Sequence, residues 1–340
     1  MQDNLLNESN IIDFIEQKLG DLKVSDKKML VAVSGGADST ALLLILESIS
    51  KKSNLDIHAV HINHKLRKEK SDNDEKLIEN LCSKINIPLT IIRRPYLKEK
   101  EKSSNIENYF RESRHEEFLK ITRDTNSHGV FTAHHLNDHI ETFLMKITRG
   151  SGLQGMEGIS EFIELNGLKI YRPLIQISKH ILLKFCYKNN IFPNYDHTNN
   201  SNAYSRNRIR NNIIPEFEKI NPNFLGSINR ITKIISQIND KEKIRVSHEF
   251  EKLDPNYKEN EISFSRAIFN HLSEFDKKFI LKINSEKLSP SSFMENKHLE
   301  YIIEKSYSKN SNFSLDLPGP IKLVASKTRI TIKKLFEFDF

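Results

Sequence analysis

The stretch Leu30-Val31-Ala32-Val33-Ser34-Gly35-Gly36-Ala37-Asp38-Ser39-Thr40 constrains the fold more than any other. Its apolar, mostly β-branched start reads as a buried parallel strand. Gly35 and Gly36 then allow a tight backbone turn. Asp38, Ser39 and Thr40 can cap a helix expected over 41–49, whose leucines and isoleucines pack back on the sheet. At such a strand–glycine–helix junction, backbone N–H groups converge with the positive end of the helix dipole, an arrangement that holds phosphate. The spacing is too short for a Walker A loop and no Gly-Lys-Ser/Thr follows; Gly-x-Gly-x-x-Gly is absent as well. The plain alternative is an ordinary strand-to-helix turn. The serine before the glycines and the Asp-Ser after them favour phosphate.

Strand and helix patterns alternate after this point. Strands are expected over 56–62, 89–92 and 129–133, with helices opening at Ser71, Asn105 and Leu136. That order implies an α/β fold, a doubly wound parallel sheet covered by helices on both faces. Ligands of such sheets bind beyond the carboxyl ends of the strands. Tyr171-Arg172-Pro173-Leu174 reads as the end of an edge strand, with a helix over 181–189 behind it. Beyond 215 the pattern changes to long charged helices and, over 315–332, an alternating terminal β-hairpin. The expected division is a catalytic domain over 1–215 and a smaller, mostly helical domain over 216–340.

Three groups of chemically active residues follow strands. On the helix from Leu136, Asp138 and Glu141 are one turn apart and share a face suited to a divalent cation or an ammonium group. His134, His135, Asp138 and His139 are also capable metal ligands, so a metal hydrolase stands as an alternative. For His139 alone, a solvated helix position is the simpler reading. Next come Gly150, Gly152, Gly155 and Gly158, either a loop that closes over a nucleotide or a flexible connector. Arg206 and Arg210, at i,i+4, suit bidentate phosphate binding, or form a solvated basic face.

At 340 residues the chain has room for about two domains, and its net charge of +7 is compatible with nucleic acid without demanding it. Basic groups cluster at Lys65, Arg67, Lys68 and Lys70, at 93–102, and at 206–210. The two cysteines, Cys82 and Cys186, fit no disulfide framework and no paired-cysteine site; each reads as a small buried hydrophobe. No run of about 18 apolar residues and no signal peptide is visible, which points to the cytoplasm without membrane attachment.

Taken in order, the motifs resemble those of bacterial tRNA(Ile)-lysidine synthetases, within the PP-loop ATP pyrophosphatase superfamily. Ser-Gly-Gly-Ala-Asp-Ser (34–39) matches the PP-loop. His61-Ile-Asn-His-Lys-Leu-Arg67 is similar to the post-strand motif, and Glu107, Arg111 and Arg114 match the long-helix motif. Thr132-Ala-His-His-Leu-Asn-Asp138 with Glu141-Thr142, Arg149-Gly-Ser-Gly-Leu, Arg172-Pro-Leu, Asp196 with Thr198-Asn199, and Arg206-Asn-Arg-Ile-Arg210 complete the series. Two positions depart from the pattern: His139 stands where the family has Gln or Asp, and Phe110 replaces a small residue. The chain is also shorter than the family's long members.

The resemblance implies a sheet of the adenine nucleotide alpha hydrolase-like type and a carbon–nitrogen ligase using ATP and Mg²⁺. It implies adenylation of the wobble cytidine in a CAU-anticodon isoleucine tRNA, then attack by free L-lysine. Ser34, Gly35, Gly36, Ala37, Asp38 and Ser39 would bind ATP, and Asp38 would help hold Mg²⁺. Arg111 and Arg114 would balance phosphate charge. Asp138 and Glu141 would orient the lysine ammonium and accept its proton, with His134, Arg206 and Arg210 contacting substrate. A thiolase-like PP-loop enzyme, an amide-forming ligase and a non-catalytic tRNA binder are the alternatives, and a homodimer is left open.

Overall fold

Strand β1 (Lys28–Ala32) has side chains that alternate between two cores, and this places it at the middle of the first sheet. Met29, Val31 and Val33 enter one apolar cluster, whereas Leu30 enters another on the opposite face. This is seen in a computed structural model that describes residues 7, 9–65, 69–94, 106–191, 205–289, 294–308 and 312–335. Leu66, Arg67, Lys68, the charged linker at 98–104, Asn105 and the polar loop at 194–200 with Asp196 lie outside the described residues, as does the Glu107 side chain. The chain divides into two compact units, Met1–Ser236 and Gln237–Phe340.

In the first unit, β1 pairs in parallel with β2 (Asp56–Asn63) on one side and β4 (Gly129–Phe131) on the other. Strand β3 (Leu89–Arg93) lies outside β2, and β6 (Leu168–Tyr171) outside β4. The sixth strand, β5 (Phe162–Leu165), runs antiparallel at the edge, giving the order β3-β2-β1-β4-β6-β5. The strand ending at Tyr171 is therefore internal, and the true edge is a short strand whose side chains are alternately exposed. Helices α1 (Ile11–Asp21), α2 (Ala37–Ser50) and α6 (Lys179–Lys188) bury Ile15, Leu19, Leu42, Leu46 and Phe185 against one face. Helix α3 (Glu69–Lys84) adds Ile78 and Cys82 to the same core. On the other face α4 (Ile106–Asp124) contributes Phe118 and Ile121. Helix α5 (Leu136–Thr148) packs Leu136 and Ile140 with Ile209 and Ile214. Those last two belong to a continuous run: α7 (Ser205–Arg208), a π-helical turn (Ile209–Ile213) and α8 (Ile214–Ile220).

Helix α9 (Phe224–Glu251) contains the division between the units, later in the chain than the division after 215 expected from the sequence. The second unit holds α10 (Arg266–His271), α11 (Glu274–Leu288) and α12 (Asn296–Ser306). It also contains β7 (Asn256–Lys258), β8 (Glu261–Ser265), β9 (Phe313–Leu317), β10 (Ile321–Ala325) and β11 (Arg329–Lys334). These five strands form an antiparallel sheet in the order β7-β8-β11-β10-β9. The terminal hairpin is thus part of a larger sheet, with the Leu-Pro-Gly-Pro turn joining β9 to β10. Ile262, Phe264, Leu323 and Ile332 build its core with Phe269, Phe279 and Leu299. Among the described residues, no helix is long and apolar enough to cross a membrane.

Candidate functional site

The loop between β1 and α2 is shaped by its own serines. Ser39 Oγ accepts from Ser34 N at 3.0 Å and donates to Gly36 O at 3.1 Å, while Ser34 Oγ lies 3.1 Å from Ser39 Oγ. Gly35 has φ +87°, a conformation that favours glycine. Gly36, extended at φ −80° and ψ 162°, takes the N-cap position, and no side chain caps α2. The helix therefore starts at Ala37 rather than 41. Ser39 braces the loop from inside the first turn instead of capping, and Thr40 is fully buried. The first N–H groups of α2 lack intrahelical partners by geometry and carry the positive end of its dipole. Nearby, His61 Nδ1 lies 2.8 Å from Val33 O and Asn63 Nδ2 donates to Glu75 at 2.7 Å, tying the end of β2 to its surroundings.

A chain of charged groups leads away from this loop. Asp38 Oδ2 lies 3.5 Å from His135 Nε2 and 3.6 Å from Lys179 Nζ. Burial works against the Asp38 charge, but His135 and Lys179 outweigh it and hold the carboxyl below the usual carboxylate range. His135 is the N-cap of α5, and Asp138 closes a reciprocal capping box with it. Burial opposes protonation of His135, yet Asp138 and Asp38 prevail and raise its imidazole above the ordinary value.

Asp138 Oδ1 in turn receives Arg210 Nη2 at 3.2 Å. Arg210 grips Glu141 with two bonds, Nε to Oε1 at 2.6 Å and Nη2 to Oε2 at 2.9 Å. Arg206 Nε lies 3.2 Å from Glu141 Oε2, and its Nη2 donates to Thr142 Oγ1 at 2.9 Å. The two carboxylates, read from the sequence as open to an ammonium group, are thus joined to the two arginines read as phosphate ligands. Glu141 is fully enclosed. Arg206 lies in α7 and Arg210 in the π-helical turn, and both reach this one carboxylate.

Further cations gather around His115 and His134. Arg172, at the end of β6, is 8% exposed, and its Nη1 donates to Ser160 O at 2.7 Å. Among the described residues its Nε has no hydrogen-bond partner. Burial, with Arg111 beside it, brings Arg172 down to about 10. Burial and the charges of Arg111, Arg114 and Arg172 push His115 down to about 4. His134 opens to solvent at one edge, but the protein around it and Arg172 push it to about 4 as well. This concentration of positive charge, with two imidazoles kept neutral, suits a polyanion. The sequence marks His135 only as a possible metal ligand and Arg172 only as part of a motif, and it does not single out Lys179. Each follows a strand or opens a helix at the sheet's carboxyl end, the one signal that could have marked them.

His139 is not a solvated position. It is 7% exposed, with Nδ1 3.1 Å from Ile159 N and Nε2 2.9 Å from Thr232 Oγ1. It therefore turns away from His135 and Asp138. Among the described residues no group of three or more His, Cys, Asp or Glu could hold a metal ion, so the hydrolase alternative finds no support.

Residues 7–217 match the family model described as the PP-loop domain. The chain belongs to the PP-loop domain family. The serine-braced turn at 34–39 lies within that match. A tRNA(Ile)-lysidine synthase from Clostridium perfringens is 32% identical over 310 residues, covering 89% of this chain and 65% of the relative. One from Clostridium acetobutylicum is 33% identical over 302 residues, 87% of this chain and 63% of the relative. The PP-loop chain thus spans less than two thirds of the length of these curated relatives. Among solved structures, a U34-tRNA thiolase from Methanococcus maripaludis shares the fold, with a TM-score of 0.54 at 17% identity over 67% of this chain and 78% of that one.

Proposed function

We propose that this PP-loop protein joins free L-lysine to C2 of the wobble cytidine in a CAU-anticodon isoleucine tRNA, changing its decoding from AUG to AUA. Cytidine O2 attacks the α-phosphorus of ATP, and the bond to pyrophosphate breaks. The ε-nitrogen of lysine then forms the C2–N bond, the C2–O2 bond breaks, and AMP departs with that oxygen. The observation that carries this reading is the unbroken polar path from the PP-loop through Asp38, His135 and Asp138 to Arg210. It joins an anion cradle to a site that can take an amine. The names of the relatives support the same reaction.

In this reading the N–H groups of Gly35, Gly36, Ala37 and Ser39 at the start of α2 take the pyrophosphate charge, at a preorganised site that Ser34 braces through its bond to Ser39 Oγ. Arg111, Arg114, Arg172 and the neutral His134 line the phosphate and anticodon side. Asp138, partly open, orients the lysine ammonium and draws off its proton. Glu141, with both oxygens engaged, holds Arg210 and Arg206 against the substrate. For Mg²⁺, the residue chemistry fits: among the described residues Asp38 Oδ1 is buried without a hydrogen-bond partner, on a carboxyl kept ionised. Asp38 would hold the ion, which neutralises phosphate charge when bound. A cytidine in an anticodon loop is already unpaired, so presenting it costs little. ATP, free lysine and tRNA meet in the cytoplasm, where we place the activity. The second unit would contact the tRNA. Burial pushes the Cys82 and Cys186 thiols to about 11, which disfavours a thiolase that needs thiolate.

Mass spectrometry of tRNA incubated with the protein, ATP and labelled lysine tests the proposal. Lysidine at the wobble position, with one AMP and one pyrophosphate released per lysine added, is the expected product. Unmodified tRNA, or multiple-turnover pyrophosphate release that continues without lysine, would remove the reading.

A further inference from the structure

We propose that His139 is a positioning residue, clamping the glycine-rich strap at 150–161 so that the strap fixes the Arg172 guanidinium beside the phosphate side of the site. His139 Nε2 lies 2.9 Å from Thr232 Oγ1, whose hydroxyl also reaches Asn229 O at 3.0 Å. Nδ1 lies 3.1 Å from both Ile159 N and Ile159 O, so the neutral ring stays bonded at both ends in either tautomer. One imidazole thus ties α5 to both the strap and α9. Gly158 makes the approach possible. At φ +75°, an added Cβ there would sit 2.5 Å from His139 Cε1. Lys146 Nζ holds Gly158 O at 2.9 Å from the same side.

The next residues along the strap hold Arg172. Ser160 O accepts from Arg172 Nη1 at 2.7 Å, and Glu161 O accepts from Arg172 N at 2.8 Å. A buried guanidinium beside Arg111, with Nε unpartnered among the described residues, gains little from its own surroundings. Its place is set by the carbonyls of the strap, and theirs by His139. The assignment of a phosphate to Arg172 rests on the function proposed above, with ATP or the anticodon backbone as its source.

The test compares His139→Ala with His139→Gln, whose amide can accept from Ile159 N–H and donate to Thr232. Hydrogen exchange at 158–161 is read on the free protein, and dissociation constants for ATP and tRNA alongside kcat. His139→Ala is expected to speed exchange at Ile159 and to weaken ATP or tRNA binding about tenfold, with kcat within about threefold. Weakening of ATP alone names ATP as the source of the phosphate, and weakening of tRNA alone names the anticodon. His139→Gln is expected to restore both readouts. Faster exchange with unchanged affinities, or a glutamine variant as impaired as alanine, overturns the inference. Should His139→Ala not fold, Thr232→Val cuts the same tether from the other end, with the same expectations and the same overturning results. A wild-type protein that makes no lysidine removes the reaction, while exchange and ATP affinity still judge His139.

Discussion

At the scale of single residues, Glu141 and Arg210 carry the sharpest expectation. Breaking a fully buried ion pair from one side costs about 3–5 kcal/mol. The arginines here are 27% and 38% exposed while Glu141 is wholly enclosed, so Glu141→Gln should cost somewhat less, about 2–3 kcal/mol. Combining it with Arg210→Met should cost less than the sum of the two, since each single change leaves a charge stranded. Urea unfolding of the four proteins measures this, and strict additivity would mean the pair is not coupled. The two histidines give a second expectation. His115 and His134 sit near 4 instead of 6.5, so each binds its proton in the unfolded chain first. The stability they contribute is complete above about pH 6.5 and is lost as pH falls toward 4. A bound polyanion reverses the local field, so inorganic pyrophosphate should raise both titration midpoints by NMR; unmoved midpoints would place the anion elsewhere. The sequence singled out Asp138, Glu141, Arg206 and Arg210 but not their union. Helical spacing shows which residues share a face, whereas Glu141 and Arg210 lie 69 positions apart and meet only through the fold.

At the scale of elements, the alternation of apolar strands and amphipathic helices was enough to read the parallel sheet and the loop at its centre. Two of the elements that escaped have little to bury. Strand β7 is exposed throughout and β5 on alternate residues, so neither carries a hydrophobic signature; both are held by neighbours. The π-helical turn has no local signature either. The start of α2 was misplaced because Ser39 could equally cap or brace, and only the turn at Gly35 decides. That turn can be tested by contrast. Gly35→Ala forces φ +87° on a residue with a Cβ, which would also lie 3.1 Å from Asp74 Cβ. About 1–2 kcal/mol of destabilisation and weaker ATP binding are expected. Gly36→Ala meets nothing closer than Ser34 Oγ at 3.6 Å with an ordinary φ, and should be far milder in stability. Equal effects of the two substitutions, measured by thermal melts and ATP titration, would deny the loop its special geometry.

At the scale of the whole molecule, the two units have separate apolar cores, and this permits their roles to be separated by experiment. The first unit carries every candidate group for ATP and lysine, from Ser34 to Arg210. The second has its own sheet and helices around Phe264, which is completely buried against Phe250 and Phe269. Phe264→Ala leaves a cavity there and should cost about 3–5 kcal/mol, borne by the second unit. Because the PP-loop core shares none of those side chains, ATP affinity should remain at the wild-type level. If the second unit holds tRNA, tRNA binding should weaken as that unit loosens. Its onset should move to lower temperature together with the second unit's unfolding, followed by hydrogen exchange of β8 and β11. Loss of ATP binding in parallel would show one cooperative unit rather than two, and unchanged tRNA affinity while β8 and β11 exchange freely would deny the second unit its role as a tRNA contact.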